Sequence, residues 1–584
     1  MKTRFGILLL LSASLAVSSI SVLAQDEVAR EDTVIFDFDR TVTDPLNYNP
    51  FTPAGNTNRG NGAHQAMWEP LFILNYETGN IDSWLGTDFT PSDTLDVWTL
   101  TLRDSVKWSD GEDFNADDVV FTINMLLGDE TRTLGDAANM QQWVESVERV
   151  DDLTVQFNLT APNPRFQLDY FSVRVANSVL IMPEHIWAEQ DPLTFTFYDE
   201  AMGWPIGTGP YTLTSSDTTL FVWDRNDDWW GVDAGFMSLP EPLRLIWRTS
   251  TTEDARVQLM SSNDIDVSNS VSLLAYEVIQ QANPNVISWA DTLPYSWADP
   301  CPRQLDINTT VAPWDNADMR RALSLIVDRE EIVAFAYEGT TEVSQTLFVQ
   351  YGAMSPYIDA IVDAGLGVSA TADVEAAQAL IESAGWVRDG SYYQMDGETL
   401  TLNILVNNAS TEYTNTVDVL VEQFQNAGID AAARPVDNGT FWGSAAPTGD
   451  YEVAYGWLSC ASVNEPWASL NRYTERFVVP VGEPAPGINN TGRWDDEASA
   501  AYSALVEQIG TLPLGDPQIT ELVVEAYQYI NANTPIIPLV QAAKLLPYNT
   551  TYWTNWPTST NNFNHPAFWW NSAHQIIHNV TKAG

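Results

Sequence analysis

His574 and His578 stand four residues apart, the spacing at which two imidazoles on one helix face can share a metal ion. A metal centre needs further protein donors, and no third ligand is suggested, so a pair on a helix surface is the plainer expectation. The chain has no HExxH, no zinc-type cysteine spacing and no His or Met cluster of the kind a haem or nickel carrier would use. Asp224, Asn226 and Asp228 alternate as in a calcium loop, but Trp229 stands where that loop requires glycine. Gly207 to Leu213 (GTGPYTL) is glycine-rich yet lacks the Lys followed by Ser or Thr that holds a phosphate and its magnesium. The 78 acidic residues make paired carboxylates abundant, but no segment singles out two for glycoside hydrolysis, and there is no GxSxG elbow. No catalytic residue, metal or cofactor is expected. A secreted glycoside hydrolase is the rival reading from another class.

What the chain does offer is aromatic surface. Twenty-three Trp in 584 residues is far more than a core of this size requires. Indole and phenol faces stack on the apolar faces of sugar rings while polar neighbours take the hydroxyls. Trp98 and Trp108 read as core. Candidates for a ligand cleft are Trp68, Trp442, Trp457, Trp467, and the C-terminal group Trp553, Trp556, Trp569 and Trp570. His64 and Glu69, beside Trp68, are expected in or next to that cleft.

The net charge of −52, from 78 acids against 26 basic residues, repels nucleic acid and anionic membrane surfaces and removes both as partners. The acids are dispersed, which suits a solvated surface tuned to a saline exterior; an acidic cleft for a cationic ligand is the alternative. Lys2 and Arg4, an apolar run from Ile7 to about Val17, and Val22, Leu23 and Ala24 before Gln25 compose a signal peptide over residues 1–24. No cysteine follows the cleavage point to carry a lipid. In an oxidising exterior the pair Cys301 and Cys460 predicts a disulfide, with two separately buried thiols as the alternative.

These side chains need elements to position them. In WTLTLRDSVKWSDGEDFNADDVVFT, Trp98, Leu100 and Leu102 alternate as on a half-buried strand, and Asp110 and Gly111 make a turn. Asn115 then caps a helix with Asp117 and Asp118 in its first turn and Val119, Val120, Ile123 and Leu126 as its apolar stripe. The string closely resembles the signature of the family-5 extracellular solute-binding proteins, the oligopeptide and dipeptide-type receptors of ABC importers. GTGPYTL and the aromatic turn RNDDWWG, Arg225 to Gly231, extend the likeness. So does Leu305 to Gly339, a strand leading through a loop into a long helix capped by Asn316, with Met319, Leu323, Ile326 and Val327 buried. Helices are also expected at Ala372 to Ala384 and Val417 to Ala427, closed by Gly385 and Gly428. Strands are expected at Leu400 to Val406, Ile429 to Val436, Tyr451 to Trp457 and Ile536 to Val540.

The resemblance implies an α/β, two-lobe, periplasmic-binding-protein-like fold of type II, with mixed sheets, flanking helices and a hinge. Lobe I would span 25–300 with an extra subdomain at about 76–200; lobe II would span 301–544, and 545–584 would return to lobe I. The chain would cross between lobes near Cys301 and Lys544. It would be a periplasmic or extracellular monomer that captures a small oligomeric solute and delivers it to a membrane permease. In YGWLSCASVNEP, Tyr455 to Pro466, peptide receptors of the family carry an Asp three residues after the Trp, and that carboxylate meets the peptide α-amine. Here that position is Cys460. With the tryptophans and Asn464, the departure resembles the oligosaccharide-binding branch, although Glu465 could supply a substitute acid for an oligopeptide. The ligand-contact set on this reading is His64, Trp68, Glu69, Trp442, Tyr455, Trp457, Cys460, Asn464 and Trp467.

Overall fold

The computed structural model describes residues 28–38, 42–53, 55, 62–175, 178–250, 252–457, 460–570 and 573–584. The expected signal peptide, 1–24, lies outside them.

Asn115 caps the helix Ala116–Leu127 through its side-chain oxygen, which accepts from the Asp117 amide at 2.7 Å, while Asp118 reaches back to the Asn115 amide at 3.0 Å. This reciprocal box satisfies donors that the first turn would leave orphaned. Asp118 also accepts from the Trp108 indole at 3.2 Å and from the Glu184 amide at 2.9 Å, so one carboxylate binds the turn, the helix and the start of the short helix Glu184–Trp187 together. The preceding strand, Val97–Leu102, buries every second residue as expected. It lies in a four-stranded antiparallel sheet with Gly86–Pro91, Val144–Asp151 and Thr154–Leu159.

Two larger sheets carry the lobes. The first has seven strands, with Thr33–Phe38 parallel to both Arg244–Thr249 and Val267–Ser268, and Leu220–Arg225 and Tyr211–Ser216 continuing antiparallel. The second has five strands in the order Asp430–Val436, Thr401–Asn407, Val453–Gly456, Trp297–Ile307 and Ile536–Lys544. Each has its own core: Val34, Phe36, Trp223 and Trp247 fill the first, and Leu305, Leu323, Leu402 and Ile404 the second. The last two strands of the second sheet run antiparallel with Trp297 opposite Lys544, and the chain then rejoins the first sheet at Tyr548–Asn549. These paired strands, where the chain passes from the first sheet to the second and back, are the crossing strands.

Gly207 and Gly209 are packing residues. A side chain at either would meet the backbone oxygens of Met67 or Ala66 at 2.2 to 2.6 Å. Gly385 and Gly428 end their helices at φ of +97° and +105°, in the left-handed region that glycine occupies freely. The long helix expected after Asn316 is a correction: it divides into Ala317–Ile326 and Arg329–Ala336. Asp328 caps the second piece by accepting from the Glu331 amide at 3.0 Å, and buried Arg329 is held by the carbonyls of Val327, Ser369 and Pro538. The His574 and His578 surface pair is also corrected. His574 is buried against the Trp68 carbonyl at 2.6 Å, and His578 packs on Trp84 and Trp229, where burial pushes its imidazole down to about 3.

Candidate functional site

A cavity of about 320 Å³ opens where the two crossing strands meet the ends of both large sheets. Phe38 enters it from the end of the central strand of the first sheet, with Asn269, Ser270, Trp569 and Trp570 from the same lobe. Asp299, Cys301 and Arg303 come from one crossing strand and Lys544 from the end of the other. Ser410, Glu412 and Tyr413 lie at the start of the helix Thr411–Ala427, and Trp457 follows the strand Val453–Gly456.

The polar groups of the lining form a network. Buried Arg303 donates from Nε to Glu412 Oε1 at 2.6 Å and from Nη1 to the Cys301 carbonyl at 2.9 Å. Tyr337 donates to the same Glu412 oxygen at 2.8 Å, and the Arg303 guanidinium lies over the Tyr413 ring. Burial alone would raise the Glu412 carboxyl, but Arg303, Lys544 and the two donated hydrogen bonds more than reverse it and hold it at about 2. Asp299 accepts from the Trp570 indole at 2.9 Å and from the Cys301 amide at 3.2 Å. Burial pushes its carboxyl up, against the pull of Lys544 and Arg303. Two acids thus face two cations here, which is not the acidic cleft considered above.

Cys301 and Cys460 form a disulfide with a Cα–Cα distance of 4.3 Å. It ties the crossing strand to the segment that carries Trp457, and Trp442 backs the Trp457 ring at 4.7 Å between centroids. Tyr455 lies one layer beneath the cavity, with its hydroxyl 3.3 Å from that of Tyr337 and its ring edge on Tyr413. Of the nine ligand-contact candidates, Trp457 alone lines the cavity, while Trp442, Tyr455 and Cys460 support it.

The remaining candidates lie elsewhere. His64, Trp68 and Glu69 are buried in the first lobe: His64 stacks on Tyr48 and meets the edge of Trp68, and Glu69 accepts from the indoles of Trp84 and Trp230 at 3.0 and 3.1 Å. Burial raises the Glu69 carboxyl to about 7 despite those donors. Asn464 and Trp467 lie where the second lobe meets the 76–200 region. Asn464 approaches the Gly79 carbonyl, and the Arg165 guanidinium lies over Trp467. Glu465, the possible substitute acid, is a correction, since it is buried and bound to Arg165 at 3.1 Å. In the C-terminal group, Trp569 and Trp570 line the cavity, whereas Trp553 and Trp556 are core. Sequence reasoning missed Arg303, Glu412, Asp299 and Lys544. The signal that could have found them is their place at the expected crossings: Arg303 is two residues beyond Cys301, and Lys544 was itself a crossing point.

Two α/β lobes joined by a strand pair, with an aromatic and charge-balanced cavity between them, define a two-lobed solute-binding protein. Residues 80–477 match the family profile described as bacterial extracellular solute-binding proteins, family 5 Middle, and the chain belongs to that family. The chain is 27% identical over 353 residues to the nickel-binding periplasmic protein of Escherichia coli, covering 59% of this chain and 60% of that protein's length. Its fold is similar to that of the periplasmic oligopeptide-binding protein of an oligopeptide ABC transporter from Thermotoga maritima, with a TM-score of 0.81, 22% identity, and coverage of 95% of this chain and 100% of the other. A second structure of that protein, bound to mannohexaose, gives a TM-score of 0.74 at 22% identity, with 95% and 99% covered. The family is one of binding proteins, not enzymes. Among the described residues no helix is long and apolar enough to cross a membrane, and no group of three or more His, Cys, Asp or Glu is placed to hold a metal ion.

Proposed function

We propose that this protein is the extracytoplasmic receptor of an ABC importer, and that it captures an oligosaccharide between its lobes and delivers it to a membrane permease. Lobe I would comprise residues 25–300 with the return 545–584, and lobe II residues 301–544. The observation that carries the choice of ligand is the cavity lining. Phe38, Tyr413, Trp457, Trp569 and Trp570 offer ring faces, while both lining carboxylates already hold donors, Glu412 from Arg303 and Tyr337 and Asp299 from Trp570 and Cys301. A peptide α-amine entering this space would lose its hydration and find Glu412 already paired with Arg303 and both Asp299 oxygens holding donors, which leaves only Glu412 Oε2 to meet it. A hydroxyl, which both donates and accepts, suits the amide of Asn269 and the hydroxyls of Ser270 and Ser410 in the lining. The mannohexaose complex of the similarly folded Thermotoga protein supports the same reading. Closure of the lobes would be driven by contacts the ligand makes only in the closed state.

The test is a thermal-shift and native mass-spectrometry screen with manno-, cello- and xylo-oligosaccharides beside di- to pentapeptides. Oligosaccharides should raise the melting temperature. If peptides alone do so, the receptor is an oligopeptide receptor; turnover of labelled oligosaccharides would make the protein a hydrolase.

A further inference from the structure

The chain contains four lysines, Lys2, Lys107, Lys544 and Lys582, among 584 residues. Lys2 lies outside the described residues, and two of the others are spent on surface pairs: Lys107 with Asp113 at 2.6 Å, and Lys582 with Asp32. The remaining one, Lys544, lines the cavity, and among the described residues its ammonium makes no hydrogen bond or ion pair. The other cation of the lining, Arg303, is committed to Glu412 and to a carbonyl. Asp299 and Glu412 lie near enough to feel the Lys544 charge but make no ion pair with it: both Asp299 oxygens hold the donors of Trp570 and Cys301, and Glu412 Oε1 holds those of Arg303 and Tyr337. Lys544 is half-buried, and an ammonium with three donors to place and no acceptor among the described residues is set to meet one that arrives with the ligand. A charged oxygen serves it best, because hydrogen bonds with both partners ionised are the strong ones.

We propose that Lys544 receives a carboxylate of the captured solute, and hence that the ligand is an acidic, uronate-bearing oligosaccharide. The ligand class rests on the oligosaccharide reading above; the assignment of Lys544 does not. The chain's charge of −52 opposes an anion at a distance. Exposed charges beyond about 8–10 Å are largely screened at physiological salt, so the lining decides, and in that charge-balanced lining Lys544 is the cation whose donors are uncommitted among the described residues. Trp569 and Trp570, in the same lining, supply the ring faces against which a uronate backbone would lie.

Isothermal titration with oligogalacturonate and oligomannuronate, each beside its methyl ester, tests this, because esterification keeps the shape and removes the charge. The wild-type protein should bind at least one free acid tenfold or more tighter than its ester. Lys544→Met should abolish that preference, weakening the free acid at least about fivefold more than its ester, and Lys544→Arg should retain most of it. The proposal is overturned if the wild type binds esters or neutral manno-oligosaccharides as tightly as the acids, or if Lys544→Met weakens acid and ester equally. If no oligosaccharide binds and peptides do, the oligosaccharide reading fails and the uronate class with it. Free-acid and C-terminally amidated peptides then judge Lys544: a preference for the free acid that vanishes in Lys544→Met keeps its role, and equal affinity removes it.

Discussion

Glu69 and Glu412 are both carboxylates set among aromatic rings, and their environments drive them in opposite directions. In the first-lobe interior Glu69 is held by neutral donors, chiefly the indoles of Trp84 and Trp230, and the Arg103 charge acts on it without an ion pair among the described residues, so burial dominates and the carboxyl rises to about 7. In the cavity Glu412 has Arg303 and Lys544 as well as a tyrosine, and it falls to about 2. The difference lies in the cation. Indole donors satisfy a carboxylate's geometry without paying for its desolvation, whereas a guanidinium does both. Tryptophan beside an acid is therefore compatible with a sealed core or a binding site, and the local charge balance separates them.

The largest expected effect tests the cavity side. The Cys301–Cys460 bridge closes a separation of 159 residues and ties a crossing strand to the Trp457 segment. In the chain-entropy description such a loop stabilises by about 5 kcal/mol. The double replacement by Ser should lower urea-unfolding stability by several kcal/mol and weaken ligand binding as well. A loss of stability with unchanged affinity would show that the bridge does not position the wall. On the core side, Trp68→Ala should cost about 3–5 kcal/mol, because Trp68 is 4% exposed and its indole donates to the Ile206 carbonyl at 3.3 Å. Ligand affinity of the molecules that remain folded should not change; if it falls sharply, Trp68 is not merely core.

Titration gives the next effect, with opposite signs for the two carboxylates. Glu69 has its folded pKa raised from 4.5 to about 7, so the native state holds the proton more tightly than the unfolded chain. Its cost to folding is absent below about 4.5, grows as pH rises to about 7 and is constant above, amounting to roughly 3 kcal/mol. Relative to wild type, Glu69→Gln should therefore gain stability between pH 4.5 and 7.5 in urea unfolding. Glu412 is depressed from 4.5 to about 2, so its contribution is present above about 4.5 and is lost as pH falls toward 2. Relative to wild type, Glu412→Gln should recover stability across that lower window. Parallel slopes in the two variants would break the contrast.

Local structure was legible where short-range chemistry decides it. The Asn115 cap, the Gly428 terminus and the alternating strand at Trp98 all stand as their residues predict, because each depends on neighbours within a few positions. The long helix after Asn316 failed at Val327, where a second cap at Asp328 and the carbonyls that hold Arg329, the adjacent Val327 and the distant Ser369 and Pro538, outweigh continued apolar spacing. The site was legible only in part. Trp457, Trp569 and Trp570 were readable as aromatic candidates, but residue type does not separate them from Trp68 or Trp553, whose burial is set by chain segments hundreds of residues away. Arg303, Glu412 and Lys544 meet across more than 100 residues of sequence, and no local pattern announces such a meeting.

The smallest effect is the sharpest discriminator between the two regions. Trp457 is half-buried, lines the cavity and rests on Trp442, so removing its ring opens one wall without emptying a core. Trp457→Ala should leave urea-unfolding stability within about 1 kcal/mol. Loss of one stacking face should weaken the oligosaccharide about tenfold, equivalent to about 1.4 kcal/mol. Trp68→Ala should do the reverse, so the two variants together form a crossed pair of outcomes. Equal affinity in a folded Trp457→Ala protein would take Trp457 out of the site and leave Trp569 and Trp570 as its stacking surface. A loss on peptides alone would keep the residue and change the ligand.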